Sequence, residues 1–90
     1  MSAVRFVVRG RVQGVGFRWF VQRTAAPLKV RGWVSNQGDG SVEVVVEGDA
    51  AAVASLEAAI RRGPPHASVS GVEKNDVPHD IAWPNTFEIR

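Results

Sequence analysis

Hydrophobic and polar positions alternate at the start of the chain and then change to a helical period. Val4, Phe6 and Val8 share one side of residues 4–9, which predicts a strand covered on that side. Over residues 17–28 the apolar positions recur at intervals of three or four, which predicts a first helix with an apolar face. Those positions are Phe17, Phe20, Val21, Ala25 and Leu28.

Four more strands and a second helix follow in the pattern. Residues 30–35 and the alternating valines at 42, 44 and 46 predict two strands, joined through a hairpin turn at residues 38–40. Asp49 is placed to cap a second helix that runs to Arg62, where Gly63 and two prolines end it. A fourth strand is predicted around residues 67–75 and a short fifth around 86–89, after a proline-containing loop.

The predicted order is β-α-β-β-α-β with a short terminal strand. Two helices that are apolar on one side fit one face of an antiparallel sheet, as in a ferredoxin-like α+β sandwich. The 90 residues are enough for one domain, residues 1–90, that buries roughly 60–65% of the unfolded chain's surface. We expect a monomer, with Trp33 either in the core or at the rim of a site.

Composition narrows the possible functions. The chain has no cysteine, which leaves no disulfide, thiolate nucleophile or Cys-zinc site and gives no sign of an oxidising compartment. His66 and His79 lie far apart in sequence and are predicted in surface loops, so no metal site or cofactor is expected. With no long apolar run, we expect no membrane partner and a cytoplasmic location. The net charge of +2 suits a small anionic substrate and is weak support for nucleic-acid binding.

A glycine-rich loop joins the first strand to the first helix and reads Gly-Arg-Val-Gln-Gly-Val-Gly-Phe-Arg over residues 10–18. Main-chain N–H groups can converge on an anion at such a junction, next to the positive end of a helix dipole. The loop lacks the Gly-Lys-Ser/Thr ending of a Walker A loop and the third glycine of a dinucleotide fingerprint. From spacing alone it could bind a phosphate or simply turn the chain.

A second motif favours phosphate binding over a simple turn, and it reads Gly-Trp-Val-Ser-Asn-Gln-Gly-Asp-Gly over residues 32–40. Together the two motifs resemble the signatures of the acylphosphatase family, and the similarity runs nearly end to end. The resemblance implies hydrolysis of acyl phosphates to carboxylate and inorganic phosphate without a metal. The substrate is then a small acyl phosphate, and inorganic phosphate is both a product and an inhibitor.

The resemblance also assigns roles to residues. Arg18 matches the family's phosphate-binding arginine, and Asn36 matches the asparagine that orients the attacking water. The loop residues expected to bind the substrate, largely through main-chain N–H groups, are Gln13, Gly14, Val15, Gly16, Phe17 and Arg18. Neither motif contains a carboxylate or histidine suited to act as a base in this scheme, so the substrate's own phosphate is the expected proton acceptor.

The sequence departs from the family pattern at three places. Lys29 stands where the end of the first helix usually has glycine, and Pro27 should break the last turn of that helix. Ser35 replaces a residue that is often basic. These changes bear on helix length and substrate affinity and leave Arg18 and Asn36 in place.

Two other readings remain open from the sequence. The loop's glycines and aromatic residues superficially echo an RNA-recognition motif, but that motif belongs on the third strand, which here carries no aromatic residue. The other reading is a non-catalytic domain of the same fold that binds an acyl phosphate or serves a larger carbamoyl-transfer protein. We therefore expect an enzyme, with a binding module of the same fold as the alternative.

Overall fold

The computed structural model describes residues 1–90 and contains five strands and two α-helices. The elements are β1 (Ser2–Arg11), α1 (Phe17–Ala25), β2 (Arg31–Asn36), β3 (Val42–Gly48), α2 (Ala50–Arg62), β4 (Ser68–Asp76) and β5 (Phe87–Ile89). The predicted order is confirmed. None of the helices is both long enough and apolar enough to cross a bilayer.

The strands form one sheet in the order β4-β1-β3-β2-β5. The pairings β4–β1, β1–β3 and β3–β2 are antiparallel, as predicted. β5 instead pairs with β2 in parallel, which makes the complete sheet mixed. Residues 77–86 reverse the chain direction as they pass from one edge of the sheet to the other, so β5 runs against β4 and therefore along β2.

The core lies between the sheet and the two helices. It is a cluster of 16 buried residues, in which alternate valines of β1 and β3 face the apolar sides of α1 and α2. Val53, Leu56 and Ile60 form the buried stripe of α2, as their spacing predicted. Phe17, the first residue of α1, is 2% exposed and fixes the start of that helix in the core. The glycine loop is therefore attached to a well-packed element on each side.

The first helix ends earlier than the apolar spacing predicted. α1 stops at Ala25, and residues 26–28 form a single 3-10 turn that contains Pro27. A proline lacks the N–H that would continue an α-helix, so the tighter turn follows from the sequence. Lys29 then reverses the chain at φ 58°, a left-handed conformation that glycine adopts at lower cost.

The face of the sheet opposite the helices is crossed by residues 77–86. His79 of this segment places Nδ1 2.7 Å from Oε2 of the buried Glu47, although the imidazole itself is largely exposed. Trp83 packs against Trp33, with 5.9 Å between the ring centroids. Trp33 is half-buried and lies outside the core, because residue alternation in β2 turns its side chain away from the helices.

Candidate active site

One cleft of about 190 Å³ brings the two sequence motifs together. It lies where the glycine loop, the start of α1, the end of β2 and the end of β5 meet. Its volume is below the roughly 300–1,000 Å³ typical of sites for drug-sized ligands, which suits a small ligand. The lining residues are Val12, Gly14, Gly16, Phe17, Arg18, Trp19, Asn36 and Ile89.

The glycine loop forms the side of the cleft at the start of α1. Gly14 and Gly16 have φ angles of 74° and 76°, which are costly for residues with a Cβ atom. Gly16 is the N-cap of α1, and no side chain caps the helix. The first N–H groups of a helix have no acceptor within it and carry its positive dipole end. With no acidic residue in that first turn, the loop side of the cleft favours an anion.

Arg18 supplies the cationic side chain of the cleft. Its Nη1 donates to the main-chain oxygen of Arg90 over 3.3 Å, although the two residues are 72 positions apart in the chain. Arg90 is itself fixed, because its N–H donates to the oxygen of Val34 in β2 over 2.8 Å. The guanidinium thus has an anchor on the strand side while it remains partly exposed to the cleft.

Asn36 is the last residue of β2 and is held in register opposite Val42 of β3. The turn that follows is stabilised by Asp39, whose Oδ1 accepts from the N–H of Ser41 over 3.0 Å and from its hydroxyl over 2.6 Å. Those bonds, together with Arg9 Nη1 at 3.2 Å from Oδ2, lower the pKa of the Asp39 carboxyl to about 2. The ionised carboxylate therefore helps to fix the turn beside Asn36.

Gln13 connects the glycine loop to the same turn. Its side-chain Nε2 donates to the main-chain oxygens of Gln37, over 2.8 Å, and of Ser41, over 2.9 Å. Neither Gln13 nor Val15 lines the cleft, and Val15 packs against the core. The sequence placed both residues among the substrate-binding set. The Gln13 amide is bonded to the turn, and the Val15 side chain packs on the core. A contact of these two residues with a ligand would therefore be made by their main-chain atoms.

Three residues that the sequence did not single out also line the cleft. Val12 is buried beneath it, and Trp19 and Ile89 stand at its exposed edge. Trp19 directly follows Arg18 in the first turn of α1, which is the sequence signal that could have identified it. Ile89 had no such signal, because it reaches the cleft only through the pairing of β5 with β2.

The chemistry available in the cleft is that of an arginine, an amide and main-chain N–H groups. No carboxylate, imidazole or thiol side chain lines it. No group of three or more His, Cys, Asp or Glu side chains in residues 1–90 is arranged to hold a metal ion. Such a site can hold and stabilise negative charge, but a proton acceptor would have to come from the substrate or from water.

The fold and the cleft are those of a small α+β protein with a cationic glycine-loop site, and comparisons identify its family. The acylphosphatase family model matches residues 4–89. The acylphosphatase of Nitratidesulfovibrio vulgaris is 49% identical over 86 residues, which cover 94% of this chain and 86% of the relative. The chain therefore belongs to the acylphosphatase family and is an enzyme of that class.

Solved structures agree with this assignment. The crystal structure of acylphosphatase from Bacillus subtilis superposes with a TM-score of 0.93 at 39% identity, covering 100% of this chain and 99% of that one. Full-length HypF, in a phosphate- and nucleotide-bound form, matches with a TM-score of 0.88 at 27% identity. That match covers 99% of this chain and 12% of HypF, so the same fold also occurs as a small part of a much longer protein.

Proposed function

We propose that this chain hydrolyses the carboxyl-phosphate bond of small acyl phosphates to a carboxylate and inorganic phosphate. The observation that carries the proposal is the shared cleft of Arg18, the glycine loop and Asn36, three features that lie apart in the sequence. Membership of the acylphosphatase family supports the reaction class. The individual roles of Arg18 and Asn36 are those that the family resemblance implies, and their place in one cleft supports them.

In the proposed mechanism the loop and Arg18 hold the phosphate group. Main-chain N–H groups around residues 14–18 donate to its oxygens, and the guanidinium of Arg18 donates through two parallel N–H bonds. Phosphoryl transfer depends mainly on positioning and on stabilising charge on the equatorial oxygens. A cleft made of fixed donors meets both requirements without a covalent intermediate.

Asn36 is proposed to position the attacking water. An amide can donate a hydrogen bond to the water oxygen or accept one from the water, and the strand end holds Asn36 in the lining of the cleft. The water oxygen forms a bond to phosphorus while the bond from phosphorus to the acyl oxygen breaks. The carboxylate leaves with the bonding electron pair, and the proton of the water passes to a phosphate oxygen. A carboxylate is a good leaving group and needs no strong general acid.

We infer that residues 1–90 act as one monomeric, cytoplasmic unit whose ligands are the acyl phosphate and its product phosphate. RNA binding by this fold would need exposed aromatic rings on the central strands. The corresponding face of β3 instead presents Glu43 and Glu47, which are paired with Arg5 and Arg31. Neither a nucleic acid nor a membrane is proposed as a partner.

The test is hydrolysis of acetyl and benzoyl phosphate by the purified chain, with and without a chelator. We expect release of inorganic phosphate at equal rates in both conditions, and competitive inhibition by added phosphate. Activity that disappears with the chelator and returns with a divalent cation would contradict the metal-free mechanism. Binding of an acyl phosphate without turnover would support the non-catalytic alternative. Tight binding of single-stranded RNA at high salt would support the RNA-binding alternative.

A further inference from the structure

Two exposed apolar side chains stand at the edge of the cleft. Residues 1–90 have three exposed large hydrophobic side chains, namely Met1, Trp19 at 58% exposure and Ile89 at 42%. Isolated apolar side chains on a surface are ordinary, but Trp19 and Ile89 line the same cleft as Arg18 and Asn36. They come from different elements, α1 and β5, so their meeting is a product of the fold.

The indole of Trp19 is held in place. Arg23, one helical turn further along α1, lies over it with Cζ 4.4 Å from the ring centroid. Such cation–π stacking favours one orientation of an otherwise exposed ring. Arg23 borders a separate depression that also contains Phe20 and Thr24 and does not line the phosphate cleft. The ring of Trp19 therefore separates the two depressions, and its stacked arginine lies outside the cleft.

Ile89 is equally fixed on the opposite element. It pairs with Val34 of β2 in the parallel ladder, and the next residue, Arg90, donates its N–H to the oxygen of the same Val34. The aromatic side chain of Trp19 and the branched aliphatic side chain of Ile89 thus border the cleft. In the proposed mechanism, the polar groups of the cleft bind the phosphate and the water. Val12 and Phe17 also line the cleft but are buried, so Trp19 and Ile89 offer the exposed apolar surface for the acyl part of the substrate.

We propose that Trp19 and Ile89 form the acyl-group wall of the site and select substrates with an apolar, preferably aromatic, acyl group. This inference rests on the proposed function and adds the substrate class to it. An aromatic acyl group can stack on or pack edge-on against the indole, whereas an acetyl group is too small to cover it. Aromatic and acetyl substrates carry the same phosphate group. The acyl-group wall should therefore affect the choice between acyl groups and not the binding of the phosphate.

The experiment compares kcat/KM for benzoyl phosphate with kcat/KM for acetyl phosphate in each variant. The two leaving groups differ in chemistry, but that difference is the same in every variant and cancels when the ratios are compared. We expect Trp19→Ala to lower the benzoyl-to-acetyl ratio about fivefold and Ile89→Ala to lower it about twofold, as expected for partial loss of one aromatic or aliphatic contact. Trp19→Phe should retain most of the ratio, and the inhibition constant for phosphate should not change in any of them.

Trp83→Ala is the matched control, because it removes an indole that packs on Trp33 on the other face of the sheet. Its ratio should equal that of the unmodified chain. The inference would be overturned if the benzoyl-to-acetyl ratio of Trp19→Ala stayed within a factor of two of that of the unmodified chain. It would also be overturned if kcat/KM fell equally for both substrates and phosphate inhibition weakened. The proposed function would stand in both cases. If the unmodified chain hydrolyses neither acetyl phosphate nor benzoyl phosphate, the proposed function is overturned, and the inference with it.

Discussion

The side-chain amide of Gln13 donates to the main-chain oxygen of Ser41 over 2.9 Å and so joins the glycine loop to the turn that follows Asn36. The same nitrogen donates to the oxygen of Gln37 over 2.8 Å. The groups proposed to hold the phosphate and the water lie on separate loops. Their relative position therefore depends in part on this one amide.

Replacing Gln13 with glutamate tests this connection. The carboxylate has nearly the same shape, but it has no N–H to donate to two carbonyl oxygens. We expect a loss of about 1–3 kcal/mol in the free energy of unfolding, because two acceptors lose their donor. We also expect kcat/KM for an acyl phosphate to fall about tenfold or more, since small displacements of catalytic groups are costly.

Urea unfolding and steady-state kinetics on one preparation would measure both effects. Gln37→Ala is the control, because its side chain bonds only to the hydroxyl of Ser35 in β2 and not to the glycine loop. It should leave the link between loop and turn intact and have little effect on kcat/KM. Normal kinetics in Gln13→Glu would mean that the loop and the turn are positioned independently of this amide.

Lys29 offers a test of the shortened first helix. It has a φ of 58°, the only positive value among the non-glycine residues. Lys29→Gly should raise the free energy of unfolding by about 0.5–1 kcal/mol, because relief of the left-handed strain exceeds the added flexibility of the unfolded chain. Lys29→Ala keeps the Cβ atom and should give no gain. A thermal melt of each variant measures the difference, and equal melting temperatures would show that the relief of strain does not exceed the cost of the added flexibility.

Asp39 predicts how stability depends on pH. Its bonds to Ser41 and Arg9 lower the pKa of the carboxyl from 3.8 to about 2, so the fold favours its ionised form. The resulting stabilisation is fully present above about pH 4 and is lost as the pH falls toward 2. Asp39→Asn should therefore be less stable than the unmodified chain at pH 7, and the difference should shrink as the pH approaches 2.

Denaturant unfolding at pH 7, 4, 3 and 2 would follow that difference. Glu73→Gln is the control, because Glu73 is the other carboxylate that bonds to Arg9 and lies outside the turn. That variant keeps the Asp39 carboxylate, so its stability should show the same loss toward pH 2 as that of the unmodified chain. A stability difference for Asp39→Asn that is constant with pH would show that the carboxylate's charge does not stabilise the turn.

The sequence predicted most of the fold because each helix and strand has its own local pattern of hydrophobic and polar residues. Alternation in residues 4–9 and the valines of β3 predicted strands, and the stripe of Val53, Leu56 and Ile60 predicted the buried side of α2. The end of α1 was predicted too late, since Leu28 keeps the apolar spacing even though Pro27 has already ended the helix. The parallel pairing of β5 depends on where residues 77–86 cross the sheet, and no local pattern contains that information.

In the site, too, the features set by local sequence were predicted and those set by contacts between distant residues were not. The position of the glycine loop and of Asn36 at a strand end follows from motifs that are continuous in sequence. The bond from Gln13 to Ser41 spans 28 positions and that from Arg18 to Arg90 spans 72, so neither could be anticipated from spacing. Trp19 was visible as a neighbour of Arg18, but its place at the cleft depends on the rotation of α1 against the sheet.

Arg18→Ala tests the proposed phosphate contact. Removing the guanidinium should cost at least about 2–4 kcal/mol of transition-state stabilisation, as does the loss of a strong donor to a developing charge. Arg18→Lys should not restore the rate, because an ammonium group cannot make two parallel bonds to one phosphate. Inhibition by inorganic phosphate should weaken in both variants. A well-folded Arg18→Ala protein with near-normal turnover would place the anion site elsewhere.

Asn36→Ala separates the water from the phosphate. If Asn36 positions the attacking water, its loss should lower kcat sharply and leave the inhibition constant for phosphate nearly unchanged, because no attacking water takes part in phosphate binding. The residue is exposed at the end of β2, so the free energy of unfolding should fall by no more than about 1 kcal/mol. Kinetics, phosphate inhibition and a thermal melt on the same preparation test all three expectations. A variant that melts and turns over normally but has a higher KM would make Asn36 a substrate contact, and the water would then be held by another group.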